Sequence, residues 1–102
     1  MTPHEILRQA KAMILRCGWV QVTFADAGGL CPIGAIHRVP QSALRDQDTA
    51  KQLYAVAVGI DGECPWNVIG WNDAPGRTPE EVLEAFDRAI ALAAETREAV
   101  TA

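Results

Sequence analysis

Two long stretches of this chain place their apolar residues on one face of a helix, and less regular segments lie between them. In the first, Ile6, Leu7, Ala10, Met13, Ile14 and Cys17 follow the i, i+1, i+4, i+7, i+8, i+11 spacing of a single helical stripe. Thr2-Pro3-His4-Glu5 opens it as a capping box, with proline at the first helical position, where a missing N–H costs nothing. Gly18 ends it as a left-handed cap, and Cys17, completing the stripe, is expected in the core. In the second, Val82, Leu83, Phe86, Ala89, Ile90 and Ala93 form the stripe behind Thr78-Pro79-Glu80-Glu81, the same opening device. Glu84 and Arg88 make an outer i, i+4 pair. This helix is expected to run to about Glu98, with residues 99–102 frayed. The likeness of residues 2–14 to 78–90 reads as a duplication or as shared capping chemistry. The segments between do not repeat, which favours the second. Both stripes are expected to meet in the core.

Between them the period changes. Trp19, Val20, Val22, Thr23 and Phe24 are β-branched or aromatic with partial alternation, and Asp26-Ala27-Gly28-Gly29 is a turn cluster. A short extended arm, or one side of a hairpin, is expected near residues 19–25. Pro32 then opens a short helix that stops before Pro40. From Ser42 to Ile60, Ala50, Leu53, Tyr54, Ala57, Val58 and Ile60 line one side of a helix. Asp46 or Asp48 can cap it, and a start near Asp48 with an end at Gly59 is expected. YAVAVGI within it also reads as a buried strand, but length favours the helix. A short helix follows over Pro65–Trp71, and Ala74-Pro75-Gly76-Arg77 has the residues of a type II turn. The fold class expected is mainly α: one domain over residues 1–102, about four helices, one of them short, and the small arm or hairpin.

Composition changes that picture only by exclusion. A chain of 102 residues is one domain, able to bury somewhat over ~60% of its unfolded surface. Net charge is -4 with a pI near 5.0, and the nine basic residues are scattered. Binding nucleic acid needs clustered Lys and Arg, so that class is set aside, while an acidic surface suits docking on a basic partner. Three cysteines, Cys17, Cys31 and Cys64, without CxxC spacing support neither a disulfide framework nor a zinc site. The N-terminus lacks the layout of a signal peptide, and no apolar run approaches the ~20 residues that span a bilayer. A cytoplasmic, reduced protein without membrane insertion, metal or cofactor is the expectation.

Candidate chemistry is thin. No GxSxG, HExxH, P-loop or GxGxxG is present, which weighs against an enzyme. Cys31 and His37 are the candidate catalytic pair, since a thiol at a helix N-cap gains from the helix dipole and needs a nearby base. Six residues separate them, however, and a buried structural Cys31 is the plainer reading. Asp73, Glu80, Glu81 and Glu84 read as a cation site, as a contact for a basic partner, or as dipole-favouring residues with Asp73 paired to Arg77. Trp66 and Trp71 cannot both face the same way, so one is expected in the core and the other at a rim. Trp66, Trp71, Asn72, Asp73 and Arg77 are therefore the candidate binding residues, being types enriched at binding hot spots or in self-bonded loops.

The segments GWVQ (18–21), LCPIGAI (30–36), WNVIGWND (66–73) and RTPEEVLEAFDRAI (77–90) together resemble a family of small proteins of unknown function found in actinobacteria and their phages. Trp71-Asn72-Asp73 with Arg77-Thr78 carries the likeness most strongly, and Pro32 departs from a position that is more often aliphatic. The resemblance implies a compartment and a fold, and no reaction. The function expected is a small protein-binding module, an accessory protein of a phage or mobile element that docks on a host protein and forms a homodimer in one version. The alternatives are a thiol-dependent enzyme or redox-sensitive protein using Cys31, and a structural or assembly subunit.

Overall fold

Tyr54 stands at the centre of the core, fully buried, with Phe86 edge-on at 4.7 Å between ring centroids and Trp71 edge-on at 5.9 Å. Edge-to-face rings of this kind add ~0.5–1.5 kcal/mol beyond the area they bury. The Tyr54 hydroxyl donates to the carbonyl of Val82 at 3.2 Å, which satisfies its one polar atom. Tyr54→Phe is expected to lower stability by about 1 kcal/mol in urea unfolding, the usual net worth of one such bond.

The computed structural model describes residues 1–23, 25–26, 28–60 and 66–101, with the side chains at 25–26, 66 and 96–101 left aside. Phe24, Cys64 and the side chain of Trp66, for which the sequence carries expectations, fall outside these residues. Five helices are ordered α1 (Pro3–Cys17), α2 (Pro32–His37), α3 (Leu44–Ala57), α4 (Trp66–Asp73) and α5 (Pro79–Thr101). A two-residue hairpin, β1 (Ala25–Asp26) and β2 (Gly29–Leu30), lies between α1 and α2 and pairs Ala25 with Leu30 and Asp26 with Gly29. The mainly α expectation holds, with five helices among the described residues rather than about four, α2 and α4 both being short.

α1 packs on α5, α3 and α2, and α3 lies against α5. The two outer stripes therefore do meet, through Ile6, Leu7, Ala10 and Ile14 from α1 and Val82, Ala85, Phe86, Ala89 and Ala93 from α5. α2 and α4 close the core on the remaining side. No helix among the described residues is long and apolar enough to cross a membrane.

Local chemistry accounts for most boundaries. The Thr2 hydroxyl accepts from the N–H of Glu5 at 3.2 Å. Thr78 and Glu81 make the full reciprocal box: the hydroxyl accepts from the Glu81 N–H at 3.2 Å, and the carboxylate accepts from the Thr78 N–H at 3.1 Å. The type II turn forms as its residues demand, with Arg77 N–H donating to Ala74 at 3.1 Å and Gly76 at φ +83°. α3 ends in paired bonds from Gly59 to Val56 and from Ile60 to Ala55, both 3.0 Å. With Gly59 at φ +78°, this is the Schellman arrangement.

Four expectations are corrected. α3 begins at Leu44, not near Asp48, and its N-cap Ala43 offers no side-chain bond. Gln47 compensates from the first turn, its amide donating to the Ser42 hydroxyl at 2.7 Å and tying down the loop before the helix. Cys17 is exposed rather than in the core: the buried stripe of α1 ends at Ile14. Arg88 does not pair with Glu84; its Nε donates to the carbonyl of Ala57 at 3.1 Å, linking α5 to the end of α3. α5 itself continues to Thr101, beyond the expected end at Glu98.

Candidate functional site

The end of α4 and the segment after α1 form one polar assembly. Val68, 4 residues before Asn72 on α4, is buried, and the same helical face carries Asn72 inward, 1% exposed. A buried amide must find partners, since an unmet one costs ~1–3 kcal/mol. Asn72 finds three: its Oδ1 accepts from the Trp19 indole at 2.5 Å, and its Nδ2 donates to the Val20 carbonyl at 3.1 Å and to Asp73 Oδ1 at 3.2 Å. Gln21 answers from the other side, its amide donating to the carbonyls of Asn72 at 2.9 Å and Ala74 at 3.0 Å. The backbone N–H of Val22 donates to Asp73 Oδ1 at 2.7 Å.

That last bond holds an unusual residue. Val22 sits at φ +75° and is 86% exposed. A β-branched side chain in the left-handed region costs at least ~1–2 kcal/mol. A hydrogen bond to a charged carboxylate is worth ~1.5–3 kcal/mol, enough to hold the strained conformation. The expected extended arm is present here in altered form: Trp19 makes one parallel bridge to Leu30, and residues 21–23 bend away over α4.

Behind this segment a cleft of about 190 Å³ is lined by Val22, Thr23, Cys31, Ile69 and Asp73. Cys31 caps α2, its Sγ accepting from the N–H of Gly34 at 3.3 Å. The bonds from that helix start lower its thiol pKa, but burial at 3% exposure is the larger cause and pushes the pKa up. Nucleophilic thiols are tuned the opposite way. His37 is the last residue of α2 and exposed, so at ~1.5 Å rise per residue it stands about 9 Å along the axis from Cys31. The structure does not bring this pair together, and Cys64 lies outside the described residues.

Arg77 and Trp71 form the adjoining staple. The guanidinium lies over the Trp71 ring at 4.1 Å from its centroid, and its Nε donates to the Trp71 carbonyl at 2.9 Å. Its other arm meets Glu81 at 2.6 Å. The expected Asp73–Arg77 pair is thus replaced: Asp73 turns to the strained segment and Arg77 to the first turn of α5. Arg77 is also the chief cause that lowers the Glu81 pKa. Trp71 is half-buried and packs against the core, and the side chain of Trp66, with which it is expected to divide core and rim, lies outside the described residues. No group of three or more His, Cys, Asp or Glu among the described residues is placed to hold a metal ion.

Of the five candidate binding residues, Trp71 and Arg77 pair with each other, while Asn72 and Asp73 turn to the Trp19–Val22 segment. Trp19, Gln21 and Val22 complete the assembly and are not among the candidate binding residues read from the sequence. Their partners lie more than fifty residues away, and no local pattern marks a valine as left-handed.

No curated protein and no solved structure matches the chain. The model of a family of unknown function, DUF6197, matches residues 1–92. That span holds the Trp19–Val22 segment, the Cys31 cap, the Trp71-Asn72-Asp73 end of α4 and the Arg77 staple, and on it the chain belongs to this family of unknown function.

Proposed function

We propose that the chain is a small protein-binding module that docks on another protein through the Gln21–Thr23 segment and the adjoining end of α4. The observation that carries this reading is Val22: an apolar, β-branched side chain displayed at 86% exposure in a backbone conformation that works against it. Strain of this kind persists where the surroundings over-determine it, and it clusters at functional positions. Asp73 supplies that constraint, and Asn72 and Gln21 fix the platform beneath it. A prearranged apolar knob loses little freedom on binding, which favours affinity. The partner that suits it offers an apolar recess with basic residues around it, complementary to the net charge of -4. The likeness to proteins of actinobacteria and their phages supports the finer reading: a cytoplasmic accessory protein of a phage or mobile element acting on a host protein. A second copy of the chain is the alternative partner.

Val22→Asn tests this cleanly, because asparagine tolerates the left-handed region and removes the apolar knob. The variant is expected to be more stable by about 1 kcal/mol in urea unfolding. It is also expected to lose a partner that the wild type retains from a bacterial lysate and that mass spectrometry identifies. A partner kept equally by Val22→Asn, or none retained by the wild type with only a monomer in light scattering, overturns the reading.

A further inference from the structure

We propose that the cleft behind Val22 binds a short primary alkylammonium chain, the chemistry of a lysine side chain. Its walls among the described residues are of two kinds. Val22, Ile69 and the buried Cys31 thiol are apolar, while Asp73 brings a carboxylate. The cleft measures about 190 Å³, and a water-sized group occupies ~30 Å³, which leaves room for about six heavy atoms. That suits an aliphatic chain with one polar end and is too small for an indole or a nucleobase.

Asp73 decides what the polar end is. Both bonds that it accepts, from the Val22 N–H at 2.7 Å and the Asn72 amide at 3.2 Å, go to Oδ1. They fix the carboxylate and leave Oδ2 without a bond among the described residues. A half-buried carboxylate beside apolar walls attracts a cation more strongly than one in open water. Arg38 also acts on the Cys31 thiol, but less strongly than Asp73 does, and its Nη1 is engaged by the Gly34 carbonyl at 3.2 Å. The field in the cleft is therefore negative, which rules out carboxylates and phosphates as ligands. An ammonium fits better than a guanidinium. The arginine fork grips a carboxylate through both oxygens, and here Oδ1 is already taken, whereas an ammonium is a point charge on a flexible stem and needs one acceptor. Its methylenes lie along Val22 and Ile69, as such stems do on apolar surface. The place beside the exposed Val22 makes a partner's lysine the source, a step that rests on the docking reading above; the ammonium site itself does not.

A titration followed by amide NMR shifts tests the site, with n-butylammonium as the probe and ionic strength held constant. Saturable shifts are expected at Val22, Cys31 and Ile69, with a Kd on the order of 1 mM for a ligand of about five heavy atoms. The neutral n-butanol and the bare ammonium ion are each expected to bind about tenfold more weakly, lacking the charge or the stem. Asp73→Asn keeps an Oδ1 to accept both bonds and removes the charge, and it is expected to weaken n-butylammonium about tenfold with the rest of the spectrum unchanged. No saturation below about 50 mM, n-butanol binding as tightly as n-butylammonium, or no weakening in a folded Asp73→Asn overturns the proposal. Should Asp73→Asn fail to fold, the comparison with n-butanol on the wild type decides it. Nα-acetyl-lysine N-methylamide separates the sources: it is expected to bind at least as tightly as n-butylammonium, and tenfold weaker binding would overturn the lysine assignment in favour of a free small amine. A wild type that binds n-butylammonium but retains no protein partner sinks the docking reading and leaves the site standing.

Discussion

Gly29→Ala is expected to lose more than about 4 kcal/mol of stability, most of what a domain of this size commonly has. The reason is a backbone crossing. Gly18, at the end of α1, and Gly29, in β2, lie so close that a Cβ on Gly29 would come under 3.0 Å from the Gly18 carbonyl and 2.6 Å from Trp19 N. A Cβ on Gly18 would in turn run into the carbonyl of Gly28. These neighbours are main chain and cannot turn aside as a flexible side chain does. Relief requires separating the strands of the crossing, which breaks Leu30 N–H to Gly18 at 2.9 Å and Val20 N–H to Leu30. It also draws Trp19 away from Asn72. Positive φ contributes as well, at +146° for Gly29. Gly76→Ala separates the two causes: Gly76 is at φ +83°, but its added Cβ meets nothing within 4 Å. That control is expected to lose only ~1–2 kcal/mol. Urea unfolding followed by circular dichroism measures both, and equal losses would show that collision at the crossing is not the main cause.

Asn72→Ala is expected to lose about 2–4 kcal/mol, because one truncation strips partners from the Trp19 indole and the Val20 carbonyl together. Asn72→Asp is the more telling change. It keeps an acceptor for Trp19 but replaces the amide donor with a second carboxylate, buried and beside Asp73 Oδ1 and the Val20 carbonyl. Burial and a like charge both disfavour ionisation, so the folded-state pKa of the introduced group rises above the ordinary carboxylate value of about 3.9. The folded protein then binds a proton that the unfolded chain has released. By linkage the variant gains stability as pH falls through the raised pKa, and loses it as pH rises. The wild type has no such group at this place. Urea midpoints between about pH 4 and 8 should therefore converge for the two proteins on the acid side. A constant gap across that range would mean that the assembly does not exclude solvent as its burial implies.

Both substitutions act on contacts that join distant parts of the chain, and there the sequence was least informative. The same limit explains Cys31. Its place at the start of a short helix was legible from Cys31-Pro32, and the bond from Gly34 bears that out. Which way its thiol titrates was not, because burial outweighs the helix start and burial is a property of the assembled core. The start of α3 was misplaced for a related reason. No capping residue marks Ala43, and the loop is secured by Gln47 reaching back to Ser42 instead. Even the pairing of Arg77 escaped a local reading. Asp73 and Glu81 each lie four residues away, and the turn geometry directs the guanidinium to Glu81.

What the sequence determined by itself is the chemistry that acts within a turn or two of helix. The Thr-Pro starts of α1 and α5, the type II turn at Ala74–Arg77 and the two apolar stripes all follow from spacing and capping. Bonds over three or four residues depend little on the rest of the fold. What only the tertiary structure decided is where Asn72, Asp73 and Gln21 send their hydrogen bonds, why Gly18 and Gly29 are glycines at their crossing, and how Val22 is held at positive φ. A polar side chain's partner is set by whatever donor or acceptor the fold carries to it, and here that partner lies more than fifty residues away.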